Sequence, residues 1–141
     1  MRYWDSSALV PLVLPEANSP KMRALLLADP HIATWAWTWV EMAGAVERRS
    51  REGLFTPLQR RETLERVQRL AEVCDEVTDV IAVRRRALGV LARHPVRAAD
   101  AAQLGAALVI AHDMPAELFF VCLDARLTDA AEREGLRAPG V

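Results

Sequence analysis

Four carboxylates in this chain sit where carboxylates do chemistry: Asp5, Glu41, Asp100 and Asp124. Asp5 closes the short extended run Arg2-Tyr3-Trp4, and Asp124 follows the run Phe119-Phe120-Val121-Cys122-Leu123. In open parallel sheets functional residues gather outside the carboxyl ends of the strands. Either acid alone is explained as a helix cap or turn residue; two at one sheet edge are not so easily dismissed. Glu41 has a sharper ordinary explanation. Thr38-Trp39-Val40-Glu41 is a capping-box pattern, in which Thr38 caps a helix and Glu41 reaches back to the cap amide. Asp100 is the hardest to explain away, because in Ala98-Ala99-Asp100-Ala101-Ala102-Gln103-Leu104-Gly105-Ala106 only Asp100 and Gln103 are polar. A helix apolar nearly all round is buried, and a lone buried carboxylate is costly unless paired or metal-bound. Arg97 is the alternative partner.

If the four acids converge, their mutual repulsion dictates the chemistry. Two carboxylates ~8 Å apart repel by about 2 kcal/mol at an effective dielectric of ~20. A hard divalent cation relieves that strain, and an all-oxygen donor set without His or Cys points to Mg²⁺ or Mn²⁺ rather than zinc. Such clusters hydrolyse phosphodiesters: the cation holds a phosphate oxygen, activates the attacking water and stabilises the leaving oxygen.

The elements that must position these acids alternate between extended and helical patterns, which argues for α/β architecture with a short, mostly parallel sheet covered by helices on both faces. Strands are expected over about 2–4, 31–34, 73–78 and 119–123, the third being the weakest pattern. Helices are expected over about 8–14, 20–28, 39–51, 57–71, 79–92, 98–111 and 126–134. Ser19-Pro20 and Thr56-Pro57 read as N-cap and first helical position, and Gly53 and Gly135 as C-terminal stops. Leu58, Leu64, Val67, Leu70 and Ala71 form one stripe of the fourth helix. Pro11 within the first helix costs it a hydrogen bond. No repeat or linker interrupts the chain, so residues 1–141 are expected to form a single domain.

Composition sets the outer bounds. A chain of 141 residues with 52% apolar and 26% charged content matches an ordinary globular protein. Two cysteines, Cys74 and Cys122, lack metal-ligand spacing and read as free thiols of a reducing compartment. The opening Met-Arg-Tyr-Trp-Asp shows no signal-peptide pattern, and no run approaches the ~18 apolar residues of a membrane span, so a cytoplasmic protein is expected. The formal charge is −1, and every cation except Lys21 is arginine. With the four acids neutralised by metal, 18 cations would face 15 remaining acids, a balance compatible with a polyanionic substrate; arginine richness is also what a GC-rich genome produces.

Tyr3-Trp4-Asp5-Ser6-Ser7-Ala8-Leu9, Arg97-Ala98-Ala99-Asp100-Ala101 with Gln103-Leu104, and Phe120-Val121-Cys122-Leu123-Asp124-Ala125-Arg126-Leu127 continuing to Gly135-Leu136 resemble, in order, the opening strand, central helix and closing strand of PIN-domain proteins. The order of acids and the length are similar to VapC toxins of toxin–antitoxin pairs. The resemblance covers essentially the whole chain. It implies a three-layer PIN-like fold, Mg²⁺- or Mn²⁺-dependent cleavage of RNA, a VapB-like antitoxin partner and a homodimer. It assigns Asp5, Glu41, Asp100 and Asp124 to the family's acidic positions, with Asp5 and Asp100 dominating direct metal binding and Glu41 and Asp124 orienting water or holding a second ion. Ser7 matches the hydroxyl that supports the first acid. Two departures stand out: Cys122 occupies a position where relatives often carry Thr or Ser, which would weaken a hydrogen bond near Asp124, and Pro11 would alter a wall of the substrate groove.

Competing readings are few. The run Trp35-x-Trp37-x-Trp39 could stack on bases, though core burial or a protein interface is the better expectation. Arg84-Arg85-Arg86 spans nearly a helical turn and reads as a solvated surface. A response-regulator receiver would need an acidic pair after the first strand and a lysine near the last, and a haloacid-dehalogenase phosphatase would need Asp-x-Asp where this chain has Asp5-Ser6-Ser7. A non-catalytic PIN module that binds RNA or a protein as a scaffold is the serious alternative, and retention of all four acids weighs against it.

Overall fold

The computed structural model describes residues 1–112 and 114–139. Strand β1 (Arg2–Trp4) is flanked by β2 (Ala33–Trp35) and β4 (Phe119–Val121), and β3 (Asp75–Val77) extends the sheet beyond β2, giving the order β3-β2-β1-β4. All pairings are parallel, with Tyr3 beside Ala33 and Phe120, and Trp35 beside Val77. Each strand is only three residues long, so a single pleat decides which side chain enters which layer. Tyr3 points to one face, where it stacks on its neighbour Phe120 with centroids 5.5 Å apart. Trp4 points to the other.

Parallel neighbours require crossover connections, and the helices supply them. Helices α1 (Ser6–Val13) and α2 (Ser19–Ala28) join β1 to β2, and α3 (Thr38–Arg51) and α4 (Pro57–Val73) join β2 to β3. Their buried residues, including Leu9, Met22, Met42 and Val67, pack around Trp4. Helices α5 (Val80–Arg93), α6 (Ala98–Ala111) and α7 (Ala125–Arg133) cover the opposite face, where Val83, Val90, Leu104 and Leu127 pack around Tyr3 and Phe120. The result is the expected three-layer α/β architecture. The β4 edge of the sheet is closed by the C-terminal segment, whose Arg137 accepts from Phe120 N and donates to Leu118 O.

Local chemistry explains most boundaries. Thr56 and Gln59 form a complete capping box at the start of α4. Gly53 ends α3 with φ +77°, a left-handed conformation that glycine adopts without steric cost, and Leu54 N closes the turn on Arg49 O. Several expectations need correcting. Strand β2 begins two residues later than expected and includes Trp35, and β3 and β4 are shorter than the apolar runs implied. Helix α2 begins after Asn18, whose side chain makes no capping bond, with Ser19 already helical. Pro11 lies inside α1 and is buried there, forgoing only the bond to the Ser7 carbonyl. Leu58 is exposed, because the first turn of α4 projects past the core that Val67 enters. Arg84, Arg85 and Arg86 are exposed as expected.

Helices α5 and α6 approach more closely than side chains would ordinarily allow, and Gly105 is the reason. A Cβ built there would lie 2.9 Å from Val83 O and 3.0 Å from Ala87 N, both main-chain atoms that cannot move aside alone. Gly105→Ala is therefore expected to lower stability by ~1–3 kcal/mol through overpacking, against the ~0.5–1 kcal/mol that alanine normally gains over glycine in a helix. Denaturant unfolding of the two proteins measures the sign directly.

Candidate active site

The carboxyl ends of the strands open onto a cleft of about 890 Å³ lined by Asp5, Ser6, Ser7, Glu41, Asp100 and Asp124. The four acids thus reach one hollow from four different places in the chain. A more apolar hollow by the starts of β1, β2 and β3 lies away from them.

Asp5 sits at the exit of the central strand, its amide bonded to Val121 O at 2.9 Å and its side chain capping α1. It is only 3% exposed. Oδ2 accepts from Ser7 N (3.0 Å), from Ser7 Oγ (2.5 Å) and from Cys122 Sγ (3.5 Å). Among the described residues all of these bonds fall on Oδ2, which leaves Oδ1 for other work. Ser7 Oγ in turn accepts from Leu123 N at 3.0 Å, tying α1 to the end of β4. Ser7 Oγ, which the resemblance pairs with the first acid, lies within hydrogen-bond distance of it.

Asp124 caps α7, with Oδ1 accepting from Leu127 N at 2.9 Å, and remains exposed in the cleft. For both strand-end acids the capping role and the cleft position coexist. Cys122 reaches Asp124 through its main chain, since Asp124 N donates to Sγ at 3.3 Å. The Cys122 sulfur thus bridges Asp5 and Asp124. Burial and the Asp5 charge push its thiol up to about 12, so it is inert as a nucleophile at neutral pH.

Glu41 corrects the capping-box expectation. Thr38 is the first residue of α3 rather than its cap, and the Glu41 carboxylate turns into the cleft. There Oε2 accepts from Ser6 Oγ at 2.8 Å and Oε1 from Gln103 Nε2 at 3.0 Å. Asp100 departs from expectation differently: it is half-buried rather than buried, because the first turn of α6 projects into the cleft before the helix enters the core. No ion pair joins it to Arg97 among the described residues, although Arg97 lies close enough to act on it electrostatically. None of the four acids has a cationic side chain within ion-pair distance in that set.

The electrostatic consequence follows. Burial pushes Asp5, Glu41 and Asp100 above the usual carboxylate range. Repulsion adds to it, from Asp100 on Asp5, from Asp5 and Asp100 on Glu41, and from Asp124 on Asp100. The site is an all-oxygen, cation-poor cluster. Among the described residues no three His, Cys, Asp or Glu side chains come together as a metal-holding group. Arg48, Arg97 and Arg126 stand exposed on the rim.

Four contributors went unassigned in the sequence: Ser6, Gln103, Arg48 and Arg126. Gln103 alone carried a signal, as the second polar residue of an apolar helix one turn beyond Asp100.

A carboxyl whose folded pKa is raised stabilises the fold only while protonated; that contribution is present below the unfolded value and lost as pH rises through the folded one. Metal-free Asp100→Asn, which mimics the protonated side chain, is accordingly expected to melt at a higher temperature than wild type at neutral pH. The gap should close as pH falls towards the ordinary aspartate value of 3.8. Thermal unfolding across that range in a chelator tests it.

No family model matches the chain, and no curated protein matches it in sequence. Among solved structures, a chain in the crystal structure of FitAcB from Neisseria gonorrhoeae superposes with a TM-score of 0.67, covering 98% of this chain and 96% of that chain at 15% sequence identity. Likeness at this level of identity concerns the backbone, and it agrees with the three-layer α/β fold given by the strand order and the two cores.

Proposed function

We propose that this chain is a Mg²⁺- or Mn²⁺-dependent endoribonuclease of the PIN-domain toxin type, held in check by a VapB-like antitoxin in the cytoplasm. The observation that carries the reading is the convergence of Asp5, Glu41, Asp100 and Asp124 on one cleft without a cationic partner among the described residues. Three carboxyls held above their usual range are a standing strain that a structural role would not require, and a divalent cation relieves it.

Each residue then has a part. Asp5, rigid through Ser7 and Cys122, and Asp100, on the projecting first turn of α6, would hold the cation. When bound, the cation neutralises the phosphodiester and lowers the pKa of the attacking water. Glu41 orients that water and takes its proton, since its two donors fix the carboxylate in the cleft. Asp124, exposed at the start of α7, would help hold a second ion or serve the leaving oxygen. Arg48, Arg97 and Arg126 on the rim give flanking phosphates a cationic landing without neutralising the acids. No described helix is long and apolar enough to cross a membrane. Trp37 is 60% exposed and Val40 51% exposed on the start of α3, next to Glu41; apolar surface beside the cleft suits a protein partner, antitoxin or second copy, better than it suits RNA.

Wild type should cleave single-stranded RNA with Mg²⁺ or Mn²⁺ and lose activity in EDTA. Asp5→Asn and Asp100→Asn should abolish cleavage while remaining folded by circular dichroism. Equal cleavage by wild type and both variants, or none by antitoxin-free wild type across varied RNAs, would remove the enzyme assignment. Saturating Mg²⁺, at ~100 times its Kd, should stabilise wild type by about 2.7 kcal/mol and Asp5→Asn by much less.

Arg126→Ala should weaken RNA binding at all sequences alike. It should also reduce the slope of log affinity against log salt by about one, read by fluorescence anisotropy with the Asp100→Asn background preventing cleavage.

A further inference from the structure

The side chain beneath Glu41 is fully buried, with its amide oxygen and both amide hydrogens partnered. Gln103 Oε1 accepts from Tyr3 Oη at 2.6 Å, and its amide nitrogen donates both hydrogens, to Thr38 Oγ1 at 2.9 Å and to Glu41 Oε1 at 3.0 Å. Directions beyond it follow from proton counting. Thr34 Oγ1 spends its hydrogen on the Trp4 carbonyl at 2.7 Å, so in the 2.8 Å contact between the two threonines Thr38 must donate and Thr34 accept. Thr38, its hydrogen spent, can only accept from Gln103. The main chain of β1 therefore sets the sense of a one-way chain through Thr34 and Thr38 to the Gln103 amide.

The amide is consequently unable to flip. Turned over, its oxygen would face the Glu41 carboxylate and its nitrogen would displace the Tyr3 donor, leaving buried polar groups unmatched at a cost of ~1–3 kcal/mol each. An amide locked in this way offers Glu41 a fixed N–H at a fixed place. Ser6 Oγ supplies a second donor from α1 on the other carboxylate oxygen at 2.8 Å. Two donors on two different helices determine both the position and the plane of the carboxylate, which one donor would not.

We propose that Gln103 is a positioning residue that holds Glu41 in its working orientation through a buried amide locked by Tyr3 and Thr38, with Ser6 as the second anchor. This inference rests on the nuclease reading for its kinetic consequence, but the geometry it describes is independent of activity.

Two experiments separate the inference from that reading. In metal-free protein, the NMR order parameter of the Glu41 side chain should fall in Gln103→Met and in Ser6→Ala; an unchanged value in both overturns the proposal whether or not the protein cuts RNA. In the Mg²⁺-loaded protein, each substitution should lower kcat about tenfold or more with KM within about twofold. Neither should lower it further in a Glu41→Gln background, because both act through that carboxylate. Additive losses in that background would overturn it. Val90→Ala, which removes buried apolar volume without touching any hydrogen bond of Gln103, controls for destabilisation and should leave kcat unchanged. If Gln103→Met does not fold, Tyr3→Phe, which removes the donor that holds the Gln103 amide oxygen, decides on the same order parameter. Absence of any wild-type cleavage would defeat the nuclease reading and leave the order-parameter result standing on its own.

Discussion

The rest of the molecule is arranged around a carboxylate that burial should disfavour. Asp5 leaves the central strand of the sheet into a pocket where it is 3% exposed, beside other acids and, among the described residues, met only by neutral donors. Removing a charge from water without a counter-charge is among the largest penalties a fold carries. Two hydrogen bonds from Ser7 and one from Cys122 offset part of it, and burial still lifts the carboxyl above its ordinary range. The parallel sheet makes the position unavoidable, since the exits of β1 and β4 are adjacent by register. The site is thus paid for by the core.

That core is asymmetric in a way that serves the site. On the Trp4 face the packing is apolar, with Leu9, Met22, Met42 and Val67. A polar thread starts at Tyr3 on the other face and crosses through Gln103 to Thr38 and Glu41 of α3 and, by way of Thr34, to the Trp4 carbonyl. Low surrounding dielectric makes each bond in such a thread stronger and each vacancy costlier, so the thread aligns β1, β2, α3 and α6 with one another. The Gly105 contact presses α5 against α6 just below it. Between them, these interactions hold the first turn of α6, and with it Asp100, at a fixed height over the sheet.

Much of this was legible in the sequence, residue by residue. The apolar run Ala98–Ala111 with its two polar interruptions, Asp100 and Gln103, announced α6, because no solvent-facing helix would have that pattern. Thr56-Pro57 and Gly53 marked boundaries through capping chemistry that depends on a few adjacent residues. Strand lengths were less accessible, since Leu123 and His31 continue apolar runs that the hydrogen-bond ladder does not use. Thr38-x-x-Glu41 was misleading for the same reason: the capping box is a local pattern, and a serine and a glutamine far away in sequence compete successfully for the same carboxylate.

The sequence by itself determined the alternation of strands and helices, the position of Asp5 and Asp124 at strand exits, and the oddity of Asp100 in an apolar helix, because periodicity and capping act over a turn or two of chain. Tertiary structure alone decided that the four acids share one cleft, that Asp5 rather than Asp100 is the buried one, and that Arg97 forms no ion pair with Asp100. It also brought Gln103 within 3.0 Å of Glu41 across 62 residues. Those outcomes depend on how deep each helix sinks and which layers meet, and packing of distant segments settles that where local pattern cannot.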